Sequence, residues 1–188
     1  MDKSICFLGH RKIKITDDLI KKLESKIEEL IDKCAVKRFL FGSKSEFDKL
    51  CYHIVTKIKE KKKDIVRVVY TCSSEKAIKE GDKEKYENIF RYILKKEINI
   101  MTFDEEVEHK NKNVAGKGSY VERNMAMIDD SDICIVYYDS IYLPQMRKRS
   151  KNSVVEYQPK SGTAIAVEYA KRKKKKIINF YENLFCEE

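Results

Sequence analysis

Short apolar runs rich in β-branched residues alternate along this chain with segments of helical period, and few folds accommodate that rhythm. Ile5–Leu8 ends in Gly9 and is followed by Leu19, Leu23, Ile27, Leu30, Ile31 and Cys34 on one helical stripe. Arg38–Phe41, ended by Gly42, predicts a second strand, and Phe47, Leu50, Cys51, Ile54, Val55 and Ile58 the amphipathic helix after it. Ile65–Thr71 reads as a buried third strand, Tyr86, Ile89, Phe90, Ile93 and Leu94 as a third helix, and Ile98–Phe103 as a fourth strand. A polar stretch, Asp104–Gly118, precedes a helix starting near Ser119. Asp132–Tyr138 is a fifth strand, Asp139–Lys160 an irregular insert and candidate lid, and Thr163–Arg172 a last helix before Lys176–Tyr181. Strands separated by helices need crossover connections. The expected fold is therefore α/β, doubly wound, with a mostly parallel sheet of about six strands and helices on both faces.

No linker divides the chain, so its 188 residues are expected to form one domain over 1–188. Uncharged stretches fall short of the roughly 18–20 residues of a membrane span, and the N-terminus does not read as a signal peptide. A cytoplasmic protein with no membrane partner is expected. Cys6, Cys34, Cys51, Cys72, Cys134 and Cys186 are widely spaced, with no C-x-x-C pair or zinc-type spacing. They read as reduced thiols; neither a metal nor a cofactor is expected. His53 and His109 read as surface or packing residues, and Cys72 as a buried thiol without a base.

In open parallel sheets, ligands bind beyond the carboxyl ends of the strands. The loops predicted there are Gly9-His10-Arg11, Gly42–Asp48, Thr71–Glu75, Gly116–Asn124 and Pro159–Ala164. Ser43-x-x-Glu46 and Ser119-x-x-Glu122 fit capping boxes, and several helix N-termini converging on one edge would offer unpaired N–H groups to phosphate. Arg123 is expected in the first turn of its helix, where a cation opposes the dipole and calls for an anionic partner. His10 fits either a phosphate donor or a loop cap. No G-x-G-x-x-G follows the first strand and no P-loop is present, which sets aside those nucleotide fingerprints. Gly162, Ala166 and Ala170, spaced by four, favour close approach of the last helix to the sheet.

Forty Lys and Arg against 31 Asp and Glu leave a net charge of +9. Two of the basic runs, Lys57–Lys63 and Lys171–Lys176, precede strands and so lie on the edge opposite the proposed site. On that ground a nucleic-acid partner is not expected. Arg147–Lys151 lies on the site's side, either exposed or neutralising a ligand phosphate.

Four blocks, Cys6–Ile13, Phe41–Asp48, Tyr120–Asp139 and Tyr157–Ala170, together resemble the SLOG superfamily of Rossmann-like proteins, named for its Smf/DprA and LOG branches. The nearest likeness is to YpsA-like bacterial and phage-associated members. The LOG branch hydrolyses nucleoside monophosphates with an R-K pair and a P-G-G-x-G-T-x-x-E loop. Arg123, Gly162 and Thr163 match, but Asn124 replaces the lysine, Gln158-Pro159-Lys160 stand at P-G-G, and Ala166 stands at the acidic position. Glu168 is two residues further, about 200° around the helix, so LOG-type hydrolysis is disfavoured.

What the superfamily implies is binding of a nucleotide or nucleotide-derived signal, including in sensors of bacterial immunity. The phosphates would rest on the amides of Gly42–Ser45 (Ser43 included), Gly116–Ser119 (Gly118 included) and Ser161–Thr163, with Lys160 beside them. Arg11 and Arg123 would add charge-assisted bonds, Tyr142 or Tyr157 a stacking surface, and Asp48 or Asp139 a ribose acceptor. Nucleotide hydrolysis and nucleic-acid binding stand as the alternatives, and a homo-oligomer stays open.

Overall fold

A computed structural model describes residues 2–42, 45–72, 75–77, 97–99, 103–110, 112, 117–148 and 156–181. Among these residues six strands form one sheet: β1 (Lys3–Gly9), β2 (Val36–Phe41), β3 (Val66–Cys72), β6 (Glu105–His109), β7 (Ile133–Tyr137) and β10 (Lys176–Asn179). Their order is β10-β7-β1-β2-β3-β6 and every pairing is parallel. The doubly wound α/β expectation holds. The order reverses direction at β1, and the crevice between the carboxyl ends of β1 and β7 is the topological switch point.

Among the described residues four helices cover the sheet: α1 (Asp17–Cys34), α2 (Glu46–Lys61), α3 (Lys117–Asp129) and α4 (Gly162–Arg172). The two-residue period of β1 decides which helix meets which face. Ile5 and Phe7 join Leu19, Leu23, Ile27, Phe47, Cys51 and Val55 beneath α1 and α2. Cys6 and Leu8 join Met127, Ile128, Ala166, Val167 and Ala170 beneath α3 and α4. Within the first layer Phe7 stacks against Phe41, with ring centroids 5.0 Å apart. Each such buried side chain contributes about 1.5–3 kcal/mol.

Local chemistry sets the helix ends. Thr16 caps α1 by accepting the Leu19 N–H at 3.2 Å, with Asp17 and Asp18 in the first turn. At its other end Ala35 takes φ 54°, a left-handed value rare for a non-glycine, and its N–H returns to the Leu30 carbonyl. Ser45, not Ser43, caps α2: its hydroxyl accepts the Asp48 N–H at 2.9 Å. Glu46 is thereby the first helical residue, and its carboxylate accepts the Ile13 N–H at 2.9 Å instead of closing a capping box. Ser43 lies outside the described residues.

The fourth strand of the sheet is β6, within the stretch read as polar, and not Ile98–Phe103. An end strand pairs on one side, so its charges find partners. Arg38 holds Glu105 through two hydrogen bonds (2.9 and 2.7 Å), and Thr71 donates to Glu106 at 3.0 Å. Of the expected strand, Ile98 and Asn99 belong to β5 (Glu97–Asn99), which pairs in parallel with β4 (Glu75–Ala77). The helix expected around Tyr86–Leu94 lies outside the described residues. In the insert, β8 (Arg147–Lys148) and β9 (Glu156–Tyr157) form a short antiparallel ladder. No helix among the described residues is long and apolar enough to cross a membrane.

Candidate functional site at the carboxyl edge

Gly9 ends β1 because nothing larger fits. A Cβ there would lie 2.3 Å from the Phe47 Cβ, so α2 packs directly on the strand end. His10 follows, only 7% exposed. Its Nε2 accepts the Asp139 N–H at 3.0 Å, so its ring proton sits on Nδ1. Burial holds this imidazole below its ordinary pKa, while the Asp139 carboxylate acts in the opposite sense. The residue thus links the loops leaving β1 and β7 across the switch point. The Tyr142 ring packs against it, tilted by 52° with 4.6 Å between centroids, and is half exposed. Asp139 also shapes its own loop, its Oδ1 accepting the Ile141 N–H at 2.9 Å.

Arg11 is exposed, and its carbonyl accepts the Glu46 N–H at 3.1 Å, which ties the first loop to the start of α2. Next along the edge, Gly42 ends β2 under two charged groups. A Cβ on Gly42 would stand 2.7 Å from Arg123 Nη2 and 3.0 Å from Asp48 Oδ2. Arg123 is 2% exposed and Asp48 6% exposed, so opposite charges meet in the interior over this glycine. Arg123 also donates to Asn124 Oδ1 at 3.1 Å and lies 5.3 Å from the Tyr120 ring centre.

Arg123 is not in a first helical turn. α3 begins at Lys117, which puts Arg123 almost two turns inside it and removes the dipole argument for an anionic ligand there. Ser119 is likewise interior, fully buried, with its Oγ 3.8 Å from Cys72 Sγ, and so does not cap the helix. Glu122 instead accepts the Lys112 N–H at 2.8 Å and lies 4.0 Å from His109 Nε2. Gly118 sits partly buried in the first turn.

α4 is built differently. Ser161 caps it, accepting the Ala164 N–H at 2.9 Å, and Gly162 follows with nothing within 4 Å of where a Cβ would stand. Thr163 is largely buried beside it. Lys160 turns away to an exposed pair with Glu168 (2.6 Å), and Ala166 packs into the core. Tyr157 projects from β9, exposed, and Gln158 donates to the Pro144 carbonyl, tying the two ends of the insert together before α4. Ile141, Leu143 and Met146 are also exposed; Ile141 reaches 80%.

The structure thus brings His10, Asp139 and Tyr142 together at the switch point, and Gly42, Asp48, Arg123 and Asn124 around the end of β2. A sequence signal for the burial of Arg123 is its spacing: Ser119, Arg123 and Met127 recur every four residues and form one inward stripe of α3. The His10–Asp139 link carries no such signal, because the two residues are 129 positions apart.

No protein-family model matches the chain, and no curated protein matches it in sequence. Among solved structures it is similar to DNA processing protein A from Helicobacter pylori, described for its single-stranded DNA binding mode, with a TM-score of 0.52 at 14% identity. The match covers 94% of this chain and 64% of that one, so the chain spans under two thirds of its neighbour. The likeness is one of fold. It corrects the expectation that nucleic acid is not a partner: a protein with a single-stranded DNA binding mode is built on this architecture, so the placement of two lysine runs does not set that partner aside.

Proposed function

We propose that the carboxyl edge binds a nucleotide through its phosphate, at the N-terminus of α4 beside the β1–β7 crevice. The observation that carries this reading is the open space over Gly162 at the start of a capped helix. An anion there meets first-turn amides and the positive end of the helix dipole without displacing a side chain. Exposed Arg11 supplies a cation, and Tyr142, backed by the buried His10 ring, offers a stacking face to a base. The resemblance to nucleotide-binding SLOG proteins fits this reading. Ala166 in the core and Glu168 engaged by Lys160 favour binding over LOG-type turnover.

The test is calorimetric titration of a panel of mononucleotides and cyclic nucleotides into the protein and into Gly162→Val. A Val side chain fills the open space, so affinity falls at least tenfold while the melting curve is retained. Undiminished affinity with an unchanged melt places the phosphate elsewhere, and chromatographic appearance of free base replaces the binder with a hydrolase.

Single-stranded nucleic acid is the second reading. It is favoured by exposed Tyr142 and Tyr157 and by exposed Arg147 on one insert, the combination that stacks bases while neutralising backbone phosphate.

A further inference from the structure

Cys6 and Cys134 are register partners on the adjacent strands β1 and β7, and their sulfurs lie 3.5 Å apart. Both project to the face covered by α3 and α4, and both are fully buried. The Ser131 hydroxyl touches both sulfurs, at 3.3 Å from Cys6 and 3.7 Å from Cys134. Beside it the Lys175 ammonium holds the carbonyls of Asp129 and Ser131. The two thiols are therefore not equivalent. Hydrogen bonds from Cys6 and Ser131, with Lys175 nearby, hold the Cys134 thiol below its usual range, whereas burial pushes Cys6 well above it. Two register-paired thiols at sulfur contact stand within reach of one S–S bond, and with both fully buried a peroxide reaches them through local opening of the cover formed by α3 and α4.

We propose that Cys6 and Cys134 are the site of a reversible disulfide, formed by a peroxide and linking β1 to β7 within the sheet, on the amino side of the switch-point crevice. Neighbouring strands place their Cα atoms within the span a disulfide bridges, and the sulfurs need only close the gap between them. The Cys134 thiolate attacks one peroxide oxygen; the O–O bond breaks and the other oxygen leaves as hydroxide, which takes up a proton to become water. The Cys6 sulfur then attacks the Cys134 sulfenic acid, forming the S–S bond. The sulfenic oxygen leaves as a second water with the Cys6 proton. Overall, two thiols and one hydrogen peroxide give one disulfide and two waters.

The experiment treats the folded protein with hydrogen peroxide, blocks remaining thiols under denaturing conditions and maps peptides by mass spectrometry without reductant. The expected product is a single cross-linked pair joining the Cys6 and Cys134 peptides, restored to two thiols by dithiothreitol. Cys6→Ser leaves Cys134 as a sulfenic acid that dimedone traps, which a packing role alone would not produce. Cross-links dominated by other pairs overturn the proposal. So does a Cys6–Cys134 link that forms only as fast as the protein unfolds, measured by the same labelling across a urea series.

Discussion

His10 shows how one buried ring ties loop geometry to pH. Its neutral form accepts the Asp139 N–H, and its folded pKa is depressed by burial. Below about pH 6.5 the unfolded chain binds this proton more readily than the folded one, so acidification drains stability until the folded pKa is passed. The carboxylates held low by cations, Glu105 by Arg38 and Asp104 by Arg67, lose their contribution only in the more acidic carboxylate range. Urea midpoints recorded between about pH 7.5 and 5.5 should therefore fall, and His10→Gln, whose amide oxygen accepts at every pH, should flatten that slope. An unchanged slope in the variant assigns it to another group.

At the scale of elements, the contrast between two glycines isolates packing from site. Gly9→Ala drives a methyl into the Phe47 Cβ, an atom fixed by the α2 backbone, and should cost about 1–3 kcal/mol or more in urea unfolding. Gly162→Ala meets open space and should stay within about 0.5 kcal/mol of the parent. The periodic elements were legible beforehand because their burial is one-sided. Leu19, Leu23, Ile27 and Leu30 all face the core, as spacing alone demanded. β6 was not legible because an end strand keeps charge, and its stability comes from partners such as Arg38 and Thr71 that lie far away in sequence. The more apolar Ile98–Phe103 drew the prediction instead. The capping box at Ser119 fails for a related reason: a Ser-x-x-Glu pattern looks alike whether it caps a helix or lies within one, and α3 is already under way at Lys117. The candidate site divided along the same line. The capped α4 terminus could be read locally, whereas the Asp48–Arg123 meeting over Gly42 joins three segments and leaves no local trace.

For the whole molecule, the question is where the +9 charge is available. Much of the lysine on the amino edge is engaged: Lys57 with Glu24 (3.0 Å), Lys59 with Asp104 (3.2 Å), Lys62 with Asp32, and Lys173 with Asp129 (2.7 Å). Exposed pairs of this kind add little stability, but they lower the net field on that edge. If single-stranded nucleic acid is bound, Arg147→Glu should weaken oligothymidine binding several-fold and reduce the salt slope by about 0.7, while Lys57→Glu leaves both unchanged. Fluorescence anisotropy over a salt series checks this, and equal losses in the two variants would move the contact surface away from the insert.

The sheet order has a further consequence. β1 takes β2 on one flank and β7 on the other, and Cys134, the partner of Cys6, is 128 residues downstream. A ribosome therefore delivers the central strand long before the one that covers its second flank. Throughout that interval the half-finished sheet holds an apolar edge open, which is where a nascent chain of this design most needs shielding by chaperones.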